Sequence, residues 1–175
     1  MTTAEIQSEI ISQSNSIGVP ANISLAVARR ESSLNPNAIG SQGEIGLFQL
    51  MPATASMLGV SNPFDPYQNI NGGITLLSIE YGRFGNWEQA LAAYNAGSPR
   101  VIAGNIPAST RAYVEDVMRM AGYSVSSDFG VDSNQAVITA DGTARFSTTV
   151  WGEKYIPWGL LIVGGVLALD FVMGD

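Results

Sequence analysis

Apolar residues recur at helical spacing along the first two thirds of the chain, and turn signals separate each run from the next. Ile6, Ile10 and Ile17 share a face of an opening amphipathic helix. Pro20 suits the first turn of a second helix over Ala21–Ser33, which Asn35-Pro36 should stop. Pro52 opens a short helix through Leu58, with Gly59 ending it. Asp65-Pro66 reads as an N-cap followed by proline at N1, after which Ile70, Ile74, Leu77 and Tyr81 form an apolar stripe. Asn86 with Gln89 three residues on predicts a capping box for a helix carrying Leu91 and Tyr94. A last helix, about Ser109–Gly122, presents Tyr113, Val117 and either Met120 or Ala121. The segment Ile39–Leu50 is glycine-rich and reads as irregular, with room for a short β-excursion. The expected fold class is mainly α, or α+β with a minor β element.

The pattern changes after Tyr123. Ser124–Gly130 is small and polar, suited to a linker. Val137–Val150 places β-branched residues around Asp141-Gly142, which predicts a short hairpin. Ile156–Met173 is apolar apart from Asp170, and its length of about 18 residues is near the lower limit for a membrane span. Tyr155 and Trp158 stand at its leading edge like interface aromatics, and Gly164-Gly165 would allow close helix packing. The expected organisation is a compact helical domain over 1–123, a linker with a hairpin over 124–155, and a hydrophobic, transmembrane helix over 156–173. A buried oligomer-forming or channel-lining helix is the alternative for the last segment.

Composition narrows the chemistry. The 175 residues contain no His and no Cys. That excludes Ser-His-Asp and Cys-His nucleophile systems, His/Cys zinc sites, iron–sulfur clusters and disulfides. Carboxylates become the leading acid–base groups, and no cofactor or metal is expected. The net charge of −7 argues against nucleic acid as the main ligand.

Three short blocks then carry the functional signal. They are Glu31-Ser32, Gly46-Leu47-Phe48-Gln49-Leu50-Met51-Pro52 and Ala93-Tyr94-Asn95-Ala96-Gly97. In this order and spacing they resemble the signature of the soluble lytic transglycosylase (SLT) domain, related to goose-type lysozyme. The resemblance covers roughly Ile17 to Ala121. It implies a lysozyme-like helical fold and cleavage of the MurNAc–GlcNAc β-1,4 bond of peptidoglycan glycan strands, with a 1,6-anhydro-muramoyl product. By the same resemblance Glu31 is the catalytic acid, Gln49, Met51, Tyr94 and Asn95 line the sugar-binding cleft, and Tyr113 approaches Glu31. Ser32 and Ser41 are candidates to buttress the glutamate. The plain alternatives are a solvated Glu31 paired with Arg29 or Arg30, a loop-bracing Gln49, core tyrosines and a helix-bracing Asn95.

One glutamate suffices for that product. Glycosidases usually need two carboxylates, one as acid and one as base or nucleophile. Attack by the sugar's own 6-hydroxyl, with its N-acetyl group stabilising the cation, removes the need for the second. Glu31 must then start protonated, and a site in a helix's last turn favours that, because the dipole disfavours negative charge there. Three positions depart from the family pattern: Phe48 replaces a common methionine, Leu34 a frequent phenylalanine, and Glu44 a small apolar residue. A second carboxylate at Glu44 would be placed to activate water and turn lytic cleavage into lysozyme-type hydrolysis; a solvated loop charge is the alternative.

Met1–Ile10 lacks the basic region and apolar core of a signal peptide. An enzyme carried in a phage virion, opening the periplasmic cell wall locally during genome delivery, reconciles that with a wall substrate. Its apolar tail would sit in a membrane or a hydrophobic virion or ejection assembly. A bacterial inner-membrane anchor is the alternative location. A non-catalytic peptidoglycan-binding module, and a structural virion or membrane protein with a secondary glycan domain, are the competing classes.

Overall fold

The computed structural model describes residues 1–126 and 129, together with the backbone of 137–138 and 144–145. The chain divides into a unit over 1–132 and a second over 133–175.

Helix α1 (Thr3–Ile17) is opened by a full capping box: the Thr2 side chain accepts from the Glu5 N–H, and the Glu5 carboxylate accepts from the Thr2 N–H at 2.7 Å. Gly18, at φ 86°, closes it in the left-handed conformation. Helix α2 (Ala21–Ser32) follows with Pro20 at its N-cap, and buries Ile23, Ala26 and Val27. It does not run on to the Asn35-Pro36 pair. Ser33 and Leu34 both turn left-handed, at φ 54° and 64°, and Ser33 N–H bonds back to Arg29 C=O at 2.9 Å. The turn that ends the helix is therefore built two residues before the proline.

The loop 39–50 has two isolated antiparallel bridges, Ile39 with Ile45 and Ile45 with Leu50, which are the short β-excursion the sequence suggested. Helices α3 (Pro52–Met57) and α4 (Pro66–Phe84) come next, the latter capped by Asp65 onto the Gln68 N–H at 3.0 Å. Ile70, Ile74 and Leu77 of α4 are fully buried. Tyr81, expected to complete their stripe, is 40 % exposed and stacks on Trp87 at 4.4 Å instead. Asn86 caps α5 (Trp87–Ala96) by accepting from the Gln89 N–H. The pair is completed by Asn86 Nδ2 donating to Gln89 Oε1, side chain to side chain. A short helix α6 (Ser98–Ile102), not foreseen from the pattern, leads to α7 (Ala108–Met120). Tyr113, Val114, Val117 and Met118 face inward, with Ala121 buried and Met120 exposed just beyond.

Helix α4 packs on α1 and α5, α1 on α2, α2 on α7, and α7 on α5. Five helices thus close a ring around a core of Phe48, Leu47, Ile70, Ile74, Leu77, Leu91, Val27 and Val114. Leu47, Phe48 and Leu50 of the loop enter this core, so the irregular segment is fastened by burial as well as by hydrogen bonds. After α7 the chain stays on this unit: Val125 and Phe129 pack against the core, and Ser126 Oγ donates to Glu88 at 2.8 Å.

In the second unit, β1 (Val137–Ile138) pairs antiparallel with β2 (Ala144–Arg145), Val137 opposite Arg145; the Asp141-Gly142 turn expected between them lies outside the described residues. The apolar segment 156–173 lies outside the described residues. No helix among the described residues is long and apolar enough to cross a membrane.

Candidate active site

Glu31 stands in the last turn of α2, and three elements converge on it. From α7, the Tyr113 hydroxyl donates to Glu31 Oε1 at 2.7 Å. From α5, Tyr94 lies close enough for the Glu31 charge to raise its pKa. From the loop, Glu44 adds a negative field. Burial pushes the Glu31 carboxyl above the ordinary glutamate value. The Tyr113 hydrogen bond and the Arg30 charge oppose that push, and Glu44 reinforces it. Both tyrosine hydroxyls are driven well above their ordinary pKa, by burial first and by Glu31 second. They remain neutral donors through the physiological range.

The loop beside Glu31 is held from three helices by side chains that bond its backbone. Ser32 Oγ of α2 donates to Leu47 C=O at 2.9 Å. Tyr94 of α5 donates its hydroxyl to Phe48 C=O at 2.6 Å. Asn69 of α4 accepts from Phe48 N–H at 2.8 Å and donates to Ile45 C=O and Pro63 C=O, both at 2.9 Å. The three non-glycine residues with positive φ among the described residues, Ser33, Leu34 and Gln49, all flank this place. Such conformations are unfavourable for L side chains and persist only where the surroundings enforce them.

The comparisons with known proteins agree with this arrangement. A family model described as the transglycosylase SLT domain matches residues 8–112. The chain belongs to the transglycosylase SLT domain family. It is 35 % identical to the transglycosylase of Enterobacteria phage PRD1, an alignment covering 75 % of this chain and 60 % of that relative. It is 36 % identical to the soluble lytic murein transglycosylase of Escherichia coli K12, covering 78 % of this chain and 24 % of the relative. Its helical fold matches the structure of an inactive glutamate-to-glutamine mutant of the lytic transglycosylase Slt from Pseudomonas aeruginosa. There the TM-score is 0.60 and the identity 27 %, over 65 % of this chain and 23 % of that one.

Within this SLT domain the sequence-predicted residues fall into two groups. Glu31, Tyr113 and Tyr94 come together, with Glu44 in electrostatic reach. Gln49 is fixed from its amide: Nε2 donates to Gly46 C=O at 2.8 Å and to Ala38 C=O at 3.2 Å. Two carbonyl acceptors on the nitrogen leave Oε1 as its remaining polar atom. The loop-bracing use of Gln49 is therefore real. Met51, at the N-cap of α3, is 42 % exposed. Asn95 is exposed and accepts from Thr110 Oγ1 at 2.8 Å, tying α5 to α7, and its Nδ2 has no hydrogen-bond partner among the described residues. Ser32 and Ser41 do not buttress the carboxyl directly. Ser32 bonds Ala28 C=O and Leu47 C=O, and Ser41 is exposed with no hydrogen bond to Glu31. The Glu44 carboxylate accepts from the Gln42 N–H at 2.9 Å, which orders it on the loop. A groove of about 520 Å³ lined by Ile45, Pro52, Ala55, Val60 and Pro63 contains none of these residues.

Sequence reasoning did not single out Asn69, Gly73 or Asp116, and it offered Arg30 only as a partner of Glu31. Gly73 lets α4 approach the Phe48 ring so closely that any Cβ would collide with it. Arg30 pairs with Asp116 (Nε to Oδ2, 3.5 Å) rather than with Glu31. Asn69 was the most findable: a polar residue beside Ile70 at the start of an otherwise apolar stripe must meet partners if it is buried.

Proposed function

We propose that this chain is a peptidoglycan lytic transglycosylase that uses Glu31 as its single acid–base group. The observation that carries the reading is the Glu31 carboxyl, raised toward its protonated form by burial while Tyr113 fixes one oxygen at 2.7 Å. The protonated carboxyl donates to the glycosidic oxygen as the C1–O4 bond breaks. The resulting carboxylate then accepts the proton of the 6-hydroxyl as that oxygen closes on C1. The proton count returns to its start and no water is consumed, giving the 1,6-anhydro end. Tyr113 supports both states by bonding Oε1 without losing its own proton.

Gln49 Oε1, the Met51 side chain and Asn95 Nδ2 are assigned to binding the acetamido sugars, the first and last as hydrogen-bond partners and Met51 as apolar contact. Tyr94 contributes its ring while its hydroxyl holds Phe48. The PRD1 relative supports a phage setting: an enzyme delivered to the periplasmic wall on a virion, with 156–173 holding it to a membrane or a hydrophobic ejection assembly. The chain spans only part of the relatives it matches, so these assignments are ours for this chain.

Mass spectrometry of digested sacculi tests the reaction, because anhydro ends and reducing ends differ by one water. Anhydro-muropeptides from the wild type, and none from Glu31→Gln, are expected. A second reading, partial hydrolysis, is favoured by the Glu44 carboxylate, whose field reaches Glu31. Reducing-end products that vanish in Glu44→Ala would establish it.

A further inference from the structure

Next to Glu31 in sequence stands a permanent cation, Arg30, in reach of a carboxyl whose task requires a proton. A guanidinium that swung onto that carboxylate would form an ion pair with it and hold it ionised. Here it does not. Its guanidinium carbon lies over the Tyr113 ring, 5.6 Å from the centroid, and its Nε is 3.5 Å from Asp116 Oδ2. Tyr113 and Asp116 are three residues apart on α7, so one face of that helix offers a ring and an anion side by side. Asp116 is itself set from the other side by Arg119 Nη2, which donates to Oδ1 at 2.7 Å. The Arg30 and Asp116 side chains are 46 % and 42 % exposed, and a pair this open adds little to stability.

We propose that Asp116 is a positioning residue for the reaction: it holds Arg30 over the Tyr113 ring and so prevents an Arg30–Glu31 ion pair. The proposal rests on the reading of Glu31 as the proton donor. Among the described residues, the charged and titratable groups facing Glu31 are Tyr113 from α7, Tyr94 from α5, Glu44 from the loop and Arg30 from its own helix. Arg30 is the cation among them, and it already lowers the Glu31 pKa from its present position. Released from Asp116, it would lower it further.

The test is the pH dependence of turnover of purified peptidoglycan by four full-length proteins: wild type, Asp116→Asn, Arg30→Gln and the double variant. The basic limb reports loss of the Glu31 proton. In Asp116→Asn it should move to lower pH by on the order of half a unit, about a threefold loss of rate on that limb, with the acidic plateau retained. In Arg30→Gln it should move to higher pH, and adding Asp116→Asn to that background should change nothing further. Because Glu44 and both tyrosines are present in all four proteins, their fields cancel in the comparison. An unmoved limb in Asp116→Asn, an equal shift with and without Arg30, or a uniform loss at every pH would overturn the proposal. Glu31→Gln serves as the control on the underlying reading: inactivity at all pH upholds it, and turnover by that variant would overturn both.

Discussion

Asn69 is the residue on which the geometry of the cleft loop depends most. It is 1 % exposed on α4, and its one amide meets the backbone of three residues: Phe48 N–H, Ile45 C=O and Pro63 C=O. It fits there because residue 46 is glycine at φ 81°, where a Cβ would strike the Asn69 amide. Consider Asn69→Ala. Ile45 C=O keeps a second donor, Leu50 N–H at 3.0 Å, so its loss is mild. Phe48 N–H and Pro63 C=O are left without their side-chain partner. At about 1–3 kcal/mol for each unsatisfied group and ~1 kcal/mol for the third bond, the cost is about 3–7 kcal/mol, less whatever an entering water restores, most readily at the half-buried Pro63 C=O.

Urea unfolding followed by far-ultraviolet circular dichroism measures that cost, and hydrogen exchange at the Phe48 amide localises it. Asn69→Asp keeps the acceptor for Phe48 N–H but turns an oxygen toward two carbonyl oxygens, so it should be at least as destabilising as alanine. Tyr94→Phe removes the tether on the other side of Phe48, a single hydrogen bond of about 1 kcal/mol net. The double variant Asn69→Ala/Tyr94→Phe should cost less than the two separately, since a loop already released has less for the second tether to hold. A loss below about 1 kcal/mol in Asn69→Ala, with Phe48 exchange unchanged, would refute the view that this amide sets the loop.

Three other outcomes are expected. Glu31→Gln should be inactive yet more stable than the wild type near neutral pH. The folded-state pKa of Glu31 is raised, so its stabilising contribution is full below the unfolded value of about 4.3 and is lost as pH rises through the folded value. The difference in Tm should therefore be near zero in acid and open as pH rises; a pH-independent difference would contradict the burial argument. Gly73→Ala drives a methyl into Cβ and Cγ of Phe48 and should cost about 1–3 kcal/mol, with part recovered by Phe48→Leu in the same chain; full stability would show that α4 and the loop are not in close register. A chain ended after Asp132 should retain muropeptide release and lose sedimentation with membranes or virions, while equal sedimentation of both forms would remove the anchoring role from 156–173.

Much of this was legible because helix ends are written in local chemistry. Asp65-Pro66 and Asn86 with Gln89 cap the helices they were expected to cap, and Thr2 with Glu5 does the same for α1 in the same local code. The end of α2 falls within a residue of the expected Ser33, but the device that ends it was not legible: Ser33 and Leu34 turn left-handed without glycine, a choice enforced by tertiary packing. Helix α6 has five residues, too few to show a period. Tyr81 belongs to the helical stripe by spacing but leaves it to stack on Trp87, a partner beyond the next turn of chain. At the site, Glu31, Tyr94 and Tyr113 were recoverable from their motif blocks and helix positions. The roles of Asn69, Gly73 and Asp116 depend on contacts between elements distant in sequence, which local pattern does not encode.

The way the loop is fastened also says which of its atoms are left for a glycan. Ser32, Asn69 and Tyr94 come from three helices of the closed ring, and each reaches for a backbone group of residues 45–48. An irregular segment next to a buried carboxyl needs such partners, since backbone groups without them would destabilise the fold. Once Leu47 C=O and both polar backbone groups of Phe48 are turned inward, those groups cannot also serve substrate. On the proposed reading, recognition on this side falls to side chains at the loop's outer edge, among them the Oε1 that Gln49 keeps after both its amide hydrogens are used, and the exposed Met51. The same fastening holds the loop in place beside Glu31, so the burial that raises the Glu31 pKa is set by the fold. Loosening any of the three tethers should therefore weaken binding and shift the basic limb of the pH profile together, whereas truncating Met51 should weaken binding alone.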